Sequence, residues 1–248
     1  MSDHYNQPEL AELYDDENGW DASADFYRDL ALRNGAGTLL DLGCGTGTVT
    51  RGVVQAIGGS AVGVDPAAPM LAVARRKTAG DNVSWIAGDA RTISLGRTFD
   101  LIIMTGHAFQ AFLTEADQIA LFRNAAAHLA PHGRFAFDSR NPAAREWLEW
   151  VPAESTRVVE TVAYGAVEIW NDARMNPDRI LDVEEHYRIL RDGRRLRSDF
   201  RLRFSAPEEL WDGMMAAGPA VEHCYGDWDR RAFTPEAREI IVVARRAA

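Results

Sequence analysis

The segment Leu39-Leu40-Asp41-Leu42-Gly43-Cys44-Gly45-Thr46-Gly47 constrains this chain more than any other. An apolar run that ends in glycines at every second position reads as a buried strand turning sharply into a helix. Glycine adopts positive φ freely and lets the backbone approach a ligand closely. A pyrophosphate-binding turn usually has G-x-G-x-x-G spacing, whereas here it is G-x-G-x-G. The carboxylate of Asp41, just ahead of the glycines, also disfavours phosphate. A ligand carrying an ammonium group suits Asp41 better.

The pattern around this turn alternates. Strands are predicted at 38–42, 61–64, 83–87, 99–104 and 134–137, with helices running to about residue 57 and over 69–77 and 115–129. Short strands that are apolar on both sides, separated by helices, imply an α/β fold: a mostly parallel sheet with helices on both faces. Asp41, Asp65 and Asp89 then fall at the carboxyl ends of successive strands, where open sheets of this kind bind ligands. Asp65 stands where a carboxylate commonly holds ribose hydroxyls. Residues 4–34 read as helical, with Ser23 as a cap and Gly35 as a stop.

After Trp150 the periodicity changes from helical to alternating. Leu181, Val183, Tyr187 and Ile189 share one face of a predicted strand; Leu196, Phe200, Leu202 and Phe204 share one face of the next. Asp192-Gly193 between them signals a two-residue hairpin, which sets Ile189 opposite Leu196, His186 opposite Asp199, Glu184 opposite Arg201 and Asp182 opposite Arg203. Strands over 158–164 and 167–172 complete a small antiparallel sheet. A helix over 207–217 and strands over 220–225 and 239–244 close the chain. The expected organisation is an N-terminal helical cap (1–34), an α/β domain (35–149 and 206–248) and an antiparallel β insertion (150–205). The insertion is either a lid, a homodimer interface, or both, because a small sheet alone is marginal and needs a partner for its apolar face.

Charge and cysteine usage narrow the partners. The 248 residues carry a net charge of −10, and Lys77 is the only lysine. That balance disfavours nucleic acid and anionic membrane, both of which ask for a basic face. The two cysteines, Cys44 and Cys224, make neither a disulfide framework nor a zinc site, and no metal is expected. The start of the chain is polar and acidic, unlike a signal peptide, and no apolar run approaches the roughly 20 residues of a membrane helix. The expectation is a cytoplasmic protein with a small-molecule partner.

Four motifs occur in order: Asp41-x-Gly43-x-Gly45-x-Gly47, Val62-Gly63-Val64-Asp65, Ala87-Gly88-Asp89-Ala90 and Phe99-Asp100-Leu101-Ile102. In this the chain resembles the class I S-adenosylmethionine-dependent methyltransferases, closely over about residues 35–140 and in element order beyond. The resemblance implies a Rossmann-like seven-stranded sheet with a C-terminal antiparallel strand, and S-adenosyl-L-methionine as cofactor. It implies that Asp41 and the turn Gly43, Cys44, Gly45 and Gly47 hold the methionine portion. Asp65 and Pro66 would hold the ribose, and Gly88, Asp89 and Ala90 the adenine. Met70 is either an apolar wall of that site or a helix core residue. Thr105, Gly106 and His107 would lie beside the transferable methyl. The Asn/Asp-Pro-Pro-Tyr/Phe pattern and the Pro-Cys nucleophile of nucleic-acid methyltransferases are absent. The Gly-His-x-Phe loop and the β insertion look most like bacterial small-molecule N-methyltransferases.

The remaining candidates each have two readings. His107 is a general base or substrate-orienting group, or a loop histidine bonded to backbone. Tyr14 and Trp20 close over a sulfonium, since aromatic faces attract cations, or pack helices. Phe109, Gln110, Arg140, Asn141 and Trp170 are candidate acceptor-binding residues. Arg140 would take a carboxylate bidentately or form a surface ion pair, and Trp170 lines a pocket or the core of the insertion. The function expected is methyl transfer to a small-molecule amine. Its rivals are transfer to oxygen, carbon or protein, a nicotinamide oxidoreductase, and a silent cofactor-binding protein.

Overall fold

A computed structural model of the chain describes residues 4–77 and 81–246. Two helices open it, α1 (Pro8–Glu17) and α2 (Ala22–Arg33). Asp21, not Ser23, caps α2. Its carboxylate accepts the Ala24 N–H at 3.0 Å and the Ser23 hydroxyl at 2.5 Å, so the serine supports the cap instead of forming it. Strands and helices then alternate: β1 (Thr38–Leu42), α3 (Thr48–Ile57), β2 (Ser60–Asp65), α4 (Ala68–Lys77), β3 (Val83–Ala87), β4 (Phe99–Met104), α5 (Glu115–His128) and β5 (Leu129–Arg140). A short helix, α6 (Pro152–Ser155), leads into β6 (Arg157–Thr161), β7 (Gly165–Met175), β8 (Ile180–Ile189) and β9 (Arg195–Arg203). The last elements are α7 (Pro207–Ala217), β10 (Pro219–Tyr225) and β11 (Glu239–Arg246).

Seven strands form one sheet in the order β10-β11-β5-β4-β1-β2-β3. β1 to β5 are parallel, and β11 runs antiparallel to both of its neighbours. The chain steps outward from β1 through β2 to β3, then returns to start β4 on the other side of β1. The loops after β1 and β4 therefore diverge and leave a crevice at their carboxyl ends. The interior strands are apolar on both sides because helices cover both faces. One face packs Phe109, Phe122, Phe135 and Phe137, with the Phe109 and Phe137 rings 4.8 Å apart; the other packs Phe26, Tyr27, Leu39, Val53 and Ile241. Gly63 belongs to this packing: a Cβ there would meet the Trp85 ring at 2.3 Å.

The four strands of the insertion pair in the order β6-β7-β8-β9. Their register departs from the predicted one. Tyr187 lies opposite Leu196, His186 opposite Arg197, Glu184 opposite Asp199 and Asp182 opposite Arg201, a slip of two residues. The cause is the turn. The Ile189 N–H donates to Arg194 O and the Gly193 N–H to Ile189 O, both at 2.9 Å, so the loop is longer than the two residues expected. A slip of two keeps every side chain on its predicted face, since the strand period is two. It costs two of the three complementary rows and leaves Asp182 opposite Arg201, but such pairs are worth only about 0.2–1 kcal/mol each. Arg197 compensates by reaching Glu184 at 3.2 Å and Asp199 at 2.7 Å. His186 stacks on Trp170 with centroids 5.0 Å apart and lies 3.5 Å from Glu184, in place of the expected Asp199 partner.

The apolar face of this sheet is covered from within the chain. Val167, Ile169, Tyr187 and Ile189 pack against Leu10 and Leu13 of α1. The opposite side of α1 is fastened to the main sheet. Asp15 accepts the hydroxyls of Thr46 at 2.5 Å and Thr48 at 2.9 Å and pairs with Lys77, while Glu12 meets Arg76 at 2.5 Å. Helix α1 thus bridges the glycine turn and the insertion. Among the described residues no helix is long and apolar enough to cross a membrane.

Candidate active site

A cleft of about 1260 Å³ opens at the carboxyl ends of β1 to β4, under α1 and beside β8 and β9. Thirteen of the residues singled out from the sequence line it: Tyr14, Gly43, Gly45, Asp65, Pro66, Met70, Gly88, Asp89, Ala90, Thr105, Gly106, His107 and Arg140.

The end under the glycine turn is built by backbone. Gly43 and Gly45 have φ of 77° and 54°, which a side chain rarely tolerates. The Gly43 and Cys44 N–H groups both donate to Val64 O, at 2.8 and 3.1 Å, tying the turn to β2. Asp65 completes the tie: its carboxylate accepts the Gly45 N–H at 2.9 Å and the Ala67 N–H at 2.8 Å. Burial raises its pKa against those two bonds. The Met70 side chain and the Tyr14 ring stand over Gly45, and Tyr5 packs edge-on against Tyr14. Asp89 behaves differently. Arg91 grips it at 3.0, 3.1 and 2.5 Å and reaches on to Asp117 at 2.5 Å, which holds the Asp89 carboxyl below its usual range. The Ala90 carbonyl is engaged by the Asn124 amide at 2.8 Å.

Asp41 lies one layer beneath this lining. Its Oδ2 accepts the Thr50 hydroxyl at 2.6 Å, while Oδ1 is buried without a hydrogen-bond partner. Burial pushes its pKa up to about 7. A buried carboxylate with one oxygen unmet is poised to receive a cation, since an unmatched buried acceptor is costly. The donor set therefore fits a ligand with an ammonium group, a diol and an apolar, positively charged centre: Asp41 for the first, Asp65 for the second, and Met70 with Tyr14 for the third.

The loop after β4 carries His107 in the left-handed region, with φ of 57°. Its backbone N–H donates to Asp138 Oδ2 at 2.7 Å, and Asp138 is held in turn by the Tyr27 hydroxyl. The imidazole Nε2 lies 2.9 Å from Glu239 Oε2. Burial, assisted by Arg140, lowers the His107 pKa to about 4, so the ring is neutral at pH 7. Burial raises Glu239 to about 7. Arg140 donates to Gln110 Oε1 at 3.0 Å and Glu146 Oε1 at 3.1 Å, and its guanidinium lies 4.8 Å from the Trp150 ring centre.

The far end of the cleft was not foreseen from the sequence. Glu17 of α1 and Glu185 of β8 converge there, with the Tyr187 hydroxyl 2.8 Å from Glu185 and Arg157 2.5 Å from Glu17 and 3.9 Å from Glu185. Burial raises the pKa of both acids, against the lowering effect of Arg157 and Tyr187. Two carboxyl groups thus share one guanidinium, and a basic nitrogen placed between them would favour their ionised forms. A signal did exist: Glu185 interrupts the apolar face formed by Leu181, Val183, Tyr187 and Ile189, and a carboxylate on a buried face is a site marker.

Eight candidates lie outside the lining. Asp41 is the one described above. Trp20 is 40% exposed, bonds Asp25 at 2.9 Å and packs over Gly52 of α3. Cys44 and Gly47 support the turn from behind; Gly47 has φ of 77°, and a Cβ there would meet Trp85 at 2.3 Å. Phe109 is fully buried in the phenylalanine core. Gln110 links Arg140 to Arg203 O at 3.2 Å. Asn141 bonds Pro235 O at 2.9 Å and Ala237 O at 2.7 Å, and Trp170 stacks on His186. All eight were candidates for a ligand contact, because sequence adjacency cannot tell the inward side of a loop or strand from its cleft side.

Residues 39–133 match a family described as methyltransferase domain. Over that stretch the chain is similar to a methyltransferase domain, and its fold is one that solved S-adenosylmethionine-dependent methyltransferases share. The chain superimposes on an S-adenosylmethionine-dependent methyltransferase from Clostridium acetobutylicum with a TM-score of 0.79 at 18% identity, covering 97% of this chain and 98% of that one. In sequence it is 36% identical over 106 residues to the cypemycin N-terminal methyltransferase of a Streptomyces species, 43% of each chain. It is 32% identical over 133 residues to the dTDP-3-amino-3,6-dideoxy-alpha-D-glucopyranose N,N-dimethyltransferase of Streptomyces fradiae, 50% of this chain and 51% of that one. The chain thus spans about half or less of the length of these curated relatives.

Proposed function

We propose that the protein is an S-adenosylmethionine-dependent methyltransferase whose acceptor is the amine nitrogen of a small molecule. The observation that carries this reading is one continuous cleft with a glycine turn and Asp65 at one end, the acidic Glu17–Glu185 pair at the other, and the neutral His107 imidazole on the same wall. An acidic pocket favours an acceptor that carries basic nitrogen. The relative named as an amino-sugar N,N-dimethyltransferase and the one named as an N-terminal methyltransferase support it. The free thiols of Cys44 and Cys224 suit a reducing, cytoplasmic setting.

Asp41 and the glycine turn would hold the amino-acid portion of the cofactor, Asp65 the ribose diol, and the Gly88–Asp89–Ala90 strand end the adenine. When bound, S-adenosylmethionine would supply an electrophilic methyl, with the electron pair of the broken C–S bond leaving on sulfur as a neutral thioether while the N–C bond forms. No acid is needed for that leaving group, so the chain's contribution is to hold nucleophile and methyl in line and to exclude water. Helix α1 and the insertion supply the cover. Glu17 and Glu185 bind and orient the acceptor, and His107 contacts the reacting nitrogen.

Thermal-shift titration tests the cofactor. S-adenosylmethionine or its demethylated product should raise the melting temperature and NADH should not; the reverse would reject the reading. Screening amine, hydroxyl and carboxylate acceptors for demethylated product then tests the acceptor. His107→Ala should lower turnover with cofactor affinity little changed.

A further inference from the structure

We propose that Glu239 is the positioning residue for His107: it fixes the imidazole with its hydrogen on Nε2 and leaves Nδ1 to accept the N–H of the amine being methylated. The proposal rests on the amine reading above and names a residue that neither the cleft lining nor any motif picked out.

The geometry is over-determined on every side but one. Gly106 and His107 follow each other at φ of 64° and 57°, and for His107 that conformation persists only because its surroundings hold it. Asp138 takes its backbone N–H at 2.7 Å. Glu239, the first residue of β11, stands opposite Arg140 in the antiparallel pairing with β5, and its Oε2 reaches His107 Nε2 at 2.9 Å. Asp138 Oδ2 is farther from Nε2, at 3.7 Å. Among the described residues Nδ1 has no partner, and the ring lies on the cleft wall. Glu239 is not on that wall and acts through the ring.

A neutral imidazole has one donor and one acceptor nitrogen, and the bond made at one decides the other. An ionised Glu239 only accepts, so Nε2 must carry the hydrogen and Nδ1 the lone pair. The amine nitrogen must point its own lone pair at the methyl carbon. An acceptor at Nδ1 takes an N–H, turns the lone pair toward the methyl, and favours the positive charge that grows on nitrogen as the bond forms. No proton changes hands in this role: a neutral amine becomes a methylammonium. When Glu239 is protonated the pattern reverses. It donates to Nε2, the hydrogen moves to Nδ1, and Nδ1–H ties up the lone pair that must attack. Asp138 and Arg140 on β5, Glu146 after it, and Asp21 before α2 are the other charges acting on the ring. Arg140 helps burial keep it neutral, so tautomer rather than charge is what Glu239 controls.

The test uses the full chain with ¹⁵N-labelled histidine and S-adenosylhomocysteine, reading the His107 imidazole by NMR in wild type, Glu239→Gln and Glu239→Asp. Wild type should show the neutral Nε2–H form at pH 8. Glu239→Gln, whose amide can accept or donate, should give a mixture of the two tautomers, and Glu239→Asp should restore the Nε2–H form in part. With dTDP-3-amino-3,6-dideoxy-α-D-glucopyranose as the amine probe, kcat of Glu239→Gln should fall on the order of tenfold or more, as for other partners that orient a functional imidazole. KM for S-adenosylmethionine should not move. An Nδ1–H form in wild type, or a Glu239→Gln protein with unchanged tautomer and kcat, overturns the role of Glu239 alone. A wild type that shows the Nε2–H form yet methylates neither this amine nor any other in the acceptor screen overturns the amine reading instead.

Discussion

Asp65→Ala probes the core of the functional reading. Each Asp65 oxygen already accepts one backbone N–H, at 2.9 and 2.8 Å, and each keeps a lone pair for a ribose hydroxyl. A hydrogen bond to a charged acceptor is worth about 1.5–3 kcal/mol when the partner is desolvated. Burial has already raised the cost of the Asp65 charge, so the net for the pair of bonds is about 2–3 kcal/mol. At about 1.4 kcal/mol per decade, the Kd should rise roughly 30- to 140-fold. The assay is isothermal titration with S-adenosylmethionine and, separately, with S-adenosylhomocysteine, whose sulfur is neutral; far-UV circular dichroism checks that the protein remains folded. A diol contact predicts the same loss for both ligands. A loss seen only with the sulfonium would mean that Asp65 acts by long-range charge, and an unchanged Kd for both would reject the ribose role.

Stability should fall as pH rises from about 5.5 to 7.5 in the absence of ligand. Asp41 and Glu239 have folded pKa values raised to about 7, above their unfolded values near 4, so the folded state holds the extra protons and loses that advantage as pH climbs through 7. His107, lowered to about 4, works in the opposite sense up to its unfolded value near 6.5, but one histidine opposes several buried acids. Urea midpoints at the two pH values check the sign. Gly47→Ala should cost about 2 kcal/mol or more, because φ is 77° and the new Cβ would meet Trp85 at 2.3 Å; shortening Trp85 as well should recover only the steric share. Phe109→Ala should cost about 3–5 kcal/mol as a core cavity and leave both KM values unchanged in protein that folds, which a substrate contact would not. Glu185→Gln should raise the acceptor KM without changing cofactor Kd, and equal shifts in both would remove Glu185 from the acceptor end.

Much of the fold was legible because its signals are local. The Asp41–Gly47 turn, the acids at strand ends and the switch to period two after Trp150 all report backbone demands that a short stretch of chain must satisfy by itself. The cleft residues drawn from strand ends, such as Asp65 and Asp89, followed from the same logic. Loop residues were less legible. Phe109, Gln110 and Asn141 follow sheet ends as closely as His107 does, yet the first enters the core and the other two bond backbone carbonyls. The two-residue slip of the β8–β9 hairpin shows the same limit on a smaller scale, with the turn outweighing a more favourable charge register.

By itself the sequence determined the parallel sheet, the glycine turn, the row of carboxylates at its edge, and the faces of the inserted strands. Each is set by spacing along the chain, and spacing survives without knowledge of what packs where. Only the tertiary structure decided that α1 covers the insertion, that Glu17 and Glu185 meet across the cleft, and that Glu239 stands behind His107. Those contacts join residues far apart in the chain, His107 and Glu239 by 132 positions. Chain closure brings them together through burial, which carries no local signature beyond a carboxylate on an apolar face.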